Sequence, residues 1–354
     1  MTRMEEVFTF TFFPDWSEVR TETNETYTVP HSMRFNDGHK LALIVYTLLM
    51  LISGIGNVWV LIRLAKSRTS RTNRMLTHLA IADLFVAFLM MPTEIISAAT
   101  VAWWFGDISC RISAFFKTFG LYQSSFVLVC IGIDRYYAIV KPLSITDTFC
   151  RGKGIIALAW VFSGICSLPQ VFVFRVQQHH QFRGYKQCCT FNAFPSPSHE
   201  MAYGIFNMLM MYVLPLVVIS FCYGSIVIEI CRRASAQNSG RLRRSTLGFL
   251  GRAKNRTLKL TITIIFAFFV CWTPYYIMAL WYWLDRSSAQ GVDIRVQRGL
   301  FLFACTNSSI NPLVYGVYQR TSCGPTNSRT SHNTCITELR QQRTNNNHVR
   351  DNQV

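Results

Sequence analysis

Charge is scarce in this chain. Only 15% of its 354 residues are Asp, Glu, Lys or Arg, where a soluble domain usually carries about a quarter. The shortage is uneven, because long stretches hold no charge and the charges gather between them. Acids are the rarer sign, 18 against 35 basic residues, which leaves a net charge of +17. That excess could suggest nucleic acid, but it sits in short segments between apolar runs, so no nucleic-acid partner is expected. The signatures of catalysis are missing as well: metal-ligand spacing, a Gly-rich phosphate loop, a nucleophile beside a base. His179-His180 reads as loop surface, and no enzyme is expected. Neither an internal repeat nor paired broken helices appears, which disfavours a transporter. A retinal protein needs a lysine in its last helix, and 299–318 has none.

What is present is apolar sequence, half of the chain. A hydrocarbon core about 30 Å thick needs roughly 20 apolar residues of helix. Seven runs meet that length closely enough: 41–62, 75–91, 112–133, 154–174, 201–228, 260–284 and 299–318. The second carries only His78 and Asp83 and the third only Lys117; the rest are uncharged. A soluble bundle would need polar faces that these runs lack. The fold class is therefore an all-α membrane protein, a seven-transmembrane helix bundle over 41–318. Residues 1–40 form an N-terminal tail, and 319–354, rich in Asn, Thr, Ser and Gln, a polar tail expected to be disordered.

Orientation follows from the basic segments. The loop after the first run, "RLAKSRTSRTNR", has five basic residues and no acid; 232–259 has nine and no acid. The first 40 residues hold seven acids against four bases. Basic loops face the cytoplasm, so the N-terminus is expected outside, in the plasma membrane, with lipid around the bundle. No cleavable signal peptide is evident. Asn24-Glu25-Thr26 is a glycosylation sequon on the outer side; Asn255-Arg256-Thr257 matches the pattern but falls in a basic loop and is discounted.

Five of the 12 cysteines, 130, 166, 222, 271 and 305, lie inside the runs, where they act as small apolar residues. Cys110, Cys188 and Cys189 face the oxidising side. A disulfide from Cys110 to one of the adjacent pair would tie the loop before the fifth run over the bundle mouth, and Cys188 is favoured.

Polar groups inside a membrane are expensive and usually functional. Asp83, Asn57 and Asn311 lie at similar depths, and Ser124 and Asn307-Ser308 add oxygens. Together they could hold water or a sodium ion, or hydrogen-bond the helices to one another, or both. Glu94 and Lys117, opposite in sign near the outer ends of the second and third runs, could pair or face a cavity. Aromatics crowd the same level, among them Trp103, Trp104, Tyr275 and Phe301. Prolines 169, 215, 274 and 312 fall in four different runs and Pro92 directly follows a fifth, marking built-in bends. Trp272 precedes one of them. Asp134-Arg135 closes the third run, where the acid can hold the arginine at the cytoplasmic mouth.

Taken together, "GIGN", "LAIAD", "DRYYAIVKPL", Trp160, Pro215 with Tyr223, "CWTPYY" and "NPLVY" resemble the rhodopsin-like G-protein-coupled receptors over 41–318. "MPTEI", Lys117 and "CWTPYY" narrow the likeness to the gonadotropin-releasing-hormone, adipokinetic-hormone and corazonin receptor group, adipokinetic-hormone-like receptors first and vasopressin-type receptors next nearest. The resemblance implies an extracellular peptide hormone, short and amidated, and a heterotrimeric G protein, of Gq type, as partners. It implies that Glu94, Lys117, Tyr276 and Tyr282 contact the peptide, with Trp272 the toggle beneath it. Arg135 would engage the G protein, supported by Asp134 and Tyr136, with Leu143 a second contact. Tyr223, Asn311, Pro312 and Tyr315 would form the switch, Tyr223 meeting Tyr315 through water. Asp83, Ser124, Asn307 and Asn311 would make the sodium site. Two departures stand out. Many relatives carry an acid at the foot of the sixth span that pairs with the third-span arginine; here 231–259 has none. Gly324-Pro325 also interrupts any eighth helix.

Overall fold

The structure is a computed structural model that describes residues 34–67, 70–141, 145–178, 185–190, 193–238, 252–289, 292 and 294–320. Contacts divide the chain into two units. Met1–Val314 holds the bundle, and the described part of Tyr315–Val354 is the end of the last helix. The expectations for Asn24, Leu143 and the segment around Gly324-Pro325 lie outside the described residues.

Among the described residues, seven helical stretches are long and apolar enough to cross a membrane: Asp37–Ala65, Arg71–Thr100, Gly106–Val140, Gly152–Val173, Ser198–Arg233, Thr257–Leu284 and Val296–Tyr318. Most extend beyond the charge-poor runs, because charge marks only the part suited to lipid, whereas caps decide where a helix stops. The Asn36 side chain accepts from the His39 amide at 3.2 Å, and the Ser70 hydroxyl from the Asn73 amide at 3.1 Å. Each satisfies an N–H that the first turn leaves orphaned.

The third span is the axis. In its most apolar window 78% of residues are buried, against 28–50% in the other six. It packs against the second, fourth, fifth and sixth spans, while the first lies against the second and the seventh. Leu41, Ile44 and Ile55 on the first span stay exposed, a surface suited to lipid tails.

The prolines shape the bundle in a way that composition alone does not reveal. Two of them follow single π-helical turns, Val86–Met90 before Pro92 and Leu209–Val213 before Pro215. Pro169 begins a short separate helix, Pro169–Val173, at the end of the fourth span. Pro274 and Pro312 sit inside continuous helix. A proline has no N–H for the carbonyl four residues earlier. For Pro215 that carbonyl belongs to Met211, and Ser125 of the third span donates its hydroxyl to it at 2.6 Å. For Pro312 it belongs to Ser308, which accepts from Asn57 Nδ2 at 3.1 Å and Ser53 Oγ at 3.2 Å, both on the first span. Close approach makes the second repair possible: a methyl on Gly56 would lie 2.7 Å from Pro312 Cγ, so this position of "GIGN" has no room for a side chain.

A two-stranded antiparallel hairpin, β1 (Arg175–Gln178) and β2 (Lys186–Cys189), covers one end of the bundle, with Val176 opposite Cys188 and Arg175 opposite Cys189. The other end carries Arg135.

Candidate ligand cavity, polar core and coupling end

Cys110, in the first turns of the third span, is disulfide-bonded to Cys188, with the Cα atoms 5.5 Å apart. The favoured pairing is the one formed; Cys189, on the opposite face of the strand, remains a buried thiol. Four further contacts brace the hairpin end. Asp107 Oδ1 accepts from the Val176 amide at 2.8 Å, while Arg111 Nε donates to Asp107 Oδ2 at 2.6 Å. Arg111 also donates to the Val171 carbonyl at 3.0 Å, and the Trp103 amide to the Lys186 carbonyl at 2.6 Å.

Beneath the hairpin lies a cavity of about 550 Å³, whose walls include Thr93, Glu94, Ser97, Lys117, Phe174 and Gln187. Glu94 and Lys117 do both things that their positions allowed: they pair directly, both buried, and they line the cavity. Lys117 Nζ also stands 5.2 Å from the centre of the Phe301 ring, within cation–π reach. Two opposite charges at this depth are stable only as a pair, since either alone would keep its full desolvation cost.

Tyr276, Tyr282 and Trp272 are buried, but they lie outside the walls of this cavity. An aromatic chain joins two of them to it. Phe301, which faces Lys117, touches Tyr275 (centroids 5.8 Å); Tyr275 touches Trp272 (6.1 Å), which lies 5.9 Å from Tyr276. Tyr276 stacks on Tyr212 at 4.8 Å, and Tyr212 shares a 2.7 Å hydroxyl contact with Thr273. The Tyr276 hydroxyl itself has no hydrogen-bond partner.

Deeper in the bundle, Asp83 accepts from Asn311 Nδ2 at 2.8 Å and from Ser124 Oγ at 3.3 Å. Asn57, Ser53 and Ser308 continue the network through the proline gap described above. The Oδ1 atoms of Asn307 and Asn311 are buried without hydrogen-bond partners. Orphaned oxygens beside a buried carboxylate suit a hard cation, which takes oxygen ligands. The residues present therefore fit a sodium ion, which Asp83, Ser124, Asn307 and Asn311 would hold; its charge would compensate that of the carboxylate.

At the opposite end Arg135 is held by two groups at once. Its Nη2 donates to the Asp134 carboxylate and to the Thr72 hydroxyl at the start of the second span. Asp134 also faces Arg71 Nε at 3.5 Å. Tyr136 packs against Tyr137 and Phe221. The Tyr223 hydroxyl donates to Thr261 of the sixth span at 2.9 Å. Ile139, Ile226 and Leu258 form an apolar cluster between the third, fifth and sixth spans.

Comparison with known proteins matches this arrangement. The sequence model of the "7 transmembrane receptor (rhodopsin family)" covers residues 56–315. A gonadotropin-releasing hormone II receptor of Clarias gariepinus is 33% identical over 302 residues, 83% of this chain and 78% of the relative. The gonadotropin-releasing hormone receptor of Canis lupus familiaris is 32% identical over 291 residues (79% and 89%), and that of Homo sapiens 29% over the same length. The chain belongs to the rhodopsin family of seven-transmembrane receptors.

This receptor is a multi-pass plasma-membrane protein and not an enzyme. Sequence reasoning named Asp83, Asn57, Ser124, Ser308 and Asn311 of its polar core but not Ser53, and it named the ion pair and the disulfide. It passed over Ser125, Thr72 and Asp107. For Ser125 a signal existed: a hydroxyl in the third span one helix away from Pro215, whose carbonyl partner had to come from somewhere. Thr72 and Asp107 had none, since hydroxyls and carboxylates near helix ends are common.

Proposed function

We propose that the receptor answers a short amidated peptide hormone of the adipokinetic-hormone or gonadotropin-releasing-hormone type and signals through a Gq-class heterotrimeric G protein, releasing calcium. The supporting observation is the buried Glu94–Lys117 pair in the wall of the cavity under the hairpin. An amide can accept from the lysine through its carbonyl and donate to the carboxylate through its N–H. A neutral peptide can thus open the pair without leaving either charge bare. In this reading the hairpin end and the N-terminus face outside, as the basic loops require, and Asn24 carries a glycan. Trp272 and Tyr276 sense the seated peptide through the aromatic chain that begins at Phe301, and Tyr282 is a further contact.

Binding then shifts the population between two packings of the bundle. One keeps Arg135 on Asp134 and Thr72. The other frees it, with Tyr136 and Leu143, for the G protein as the sixth span moves out. Tyr223 would exchange Thr261 for water and Tyr315, and Asn311 and Pro312 would relay the change past the sodium site. Linkage requires the G protein to raise peptide affinity in return.

The test is a peptide panel on cells expressing the receptor, read by calcium: adipokinetic-hormone, corazonin, gonadotropin-releasing-hormone and vasopressin peptides. Adipokinetic-hormone peptides are expected to act at the lowest concentrations. Silence to the whole panel from a receptor present at the surface would overturn the proposal.

A further inference from the structure

The foot of the fifth span carries a contact that none of the roles above uses. Glu229 is an acid among arginines, yet its side chain is only 9% exposed. Arg233 Nε donates to Glu229 Oε1 at 2.6 Å, one turn along the same helix, and Arg232 Nε lies 3.0 Å from Oε2. An intrahelical pair on an open surface would count for little. This one does more, because Arg233 has a second engagement. Its Nη2 donates to the carbonyl of Ile139 at 3.0 Å, in the last turn of the third span. That carbonyl is among those a helix C-terminus leaves without an intrahelical partner. Beside the contact lies the apolar cluster of Ile139, Ile226 and Leu258. Glu229 thus orients a guanidinium whose other edge caps a neighbouring helix.

We infer that Arg233 is a positioning residue that clasps the cytoplasmic end of the fifth span to the end of the third in the resting receptor. The clasp rests on the proposed coupling role of this end. It supplies a restraint where the sixth span has none to offer, since 231–259 contains no acid. Its chemistry is specific to arginine. The planar fork reaches Glu229 with one nitrogen and Ile139 with another, whereas a lysine ammonium at the end of a flexible stem cannot hold both positions at once.

The test uses the full-length receptor with nitroxide labels on the exposed native Cys231 and on Lys141→Cys, residues that flank the clasp on the two spans. The distance distribution between them is expected to widen in Arg233→Lys and in Glu229→Gln. Basal inositol phosphate production per surface receptor should rise at least two-fold in both. Arg233→Lys keeps the positive charge, so a residue that served only membrane orientation would leave both readouts unmoved. An unmoved distribution in Arg233→Lys overturns the clasp. A widened distribution with unchanged basal signalling overturns its restraining role. The distance measurement needs neither peptide nor G protein, so failure of the coupling reading would show separately, as a wild-type receptor that no peptide can drive.

Discussion

Ser125 donates its hydroxyl to the carbonyl of Met211 across 2.6 Å, filling the place of the N–H that Pro215 lacks. Both partners are fully buried. Ser125→Ala leaves that carbonyl unpaired in an apolar interior and should cost about 1–3 kcal/mol of stability. The loss would appear as a lower melting temperature of detergent-solubilised receptor. Pro215→Ala returns an N–H to the helix, so Ser125→Ala in that background should cost much less. Additive effects would show that the hydroxyl is not the carbonyl's substitute partner.

The Glu94–Lys117 pair predicts a different pattern of non-additivity. Lys117→Met alone strands a buried carboxylate and should destabilise by about 3–5 kcal/mol. The double variant Glu94→Met, Lys117→Met should recover most of that loss, because no charge remains unpaired. Peptide potency should be lost in both, read as the calcium response at matched surface expression. Unaltered potency in Lys117→Ala would remove this residue from the ligand site.

For the polar core the prediction concerns salt. Sodium should raise the melting temperature of the wild-type receptor above its value in choline, by mass action on the folded state. Asp83→Asn keeps the hydrogen-bond partners of Ser124 and Asn311 but loses the charge, and should abolish the difference. Equal melting temperatures of the wild type in the two salts would remove sodium from the site.

At the coupling end, Arg135→Ala should abolish signalling while peptide binding remains measurable. Thr72→Val removes one of the two groups that hold Arg135 and should do the opposite, raising basal inositol phosphate production about ten-fold or more for a lost hydrogen bond to a charged group of about 1.5–3 kcal/mol. A Thr72→Val receptor with wild-type basal activity would show that Asp134 alone suffices.

Much of this molecule was legible because membrane sequences are sparse in polar residues. Asp83, Glu94, Lys117 and Arg135 could be singled out one by one, and the structure buries each beside a partner named from the sequence: Asn311 and Ser124, Lys117, Glu94 and Asp134. Cys110 and Cys188 were legible from the side of the membrane they face. Three of the contacts that stayed hidden share a physical type. Ser125 to Met211, Asn57 to Ser308 and Arg233 to Ile139 all end on a backbone carbonyl. A carbonyl is carried by every residue, so its partner leaves no mark in the sequence unless a proline or a helix end exposes it. The π-helical turns were hidden for a similar reason: Pro92 and Pro215 announced a bend without saying that the preceding turn would widen.

Gly56 and Pro312 touch so closely that no methyl fits between them. Contact that close favours joint movement of the first span and the bend of the seventh. The freedom to slide then belongs to seams joined by swappable hydroxyls, such as those of Tyr223 with Thr261 and Arg135 with Thr72. A glycine, by having no side chain, thereby sets how tightly two spans are coupled.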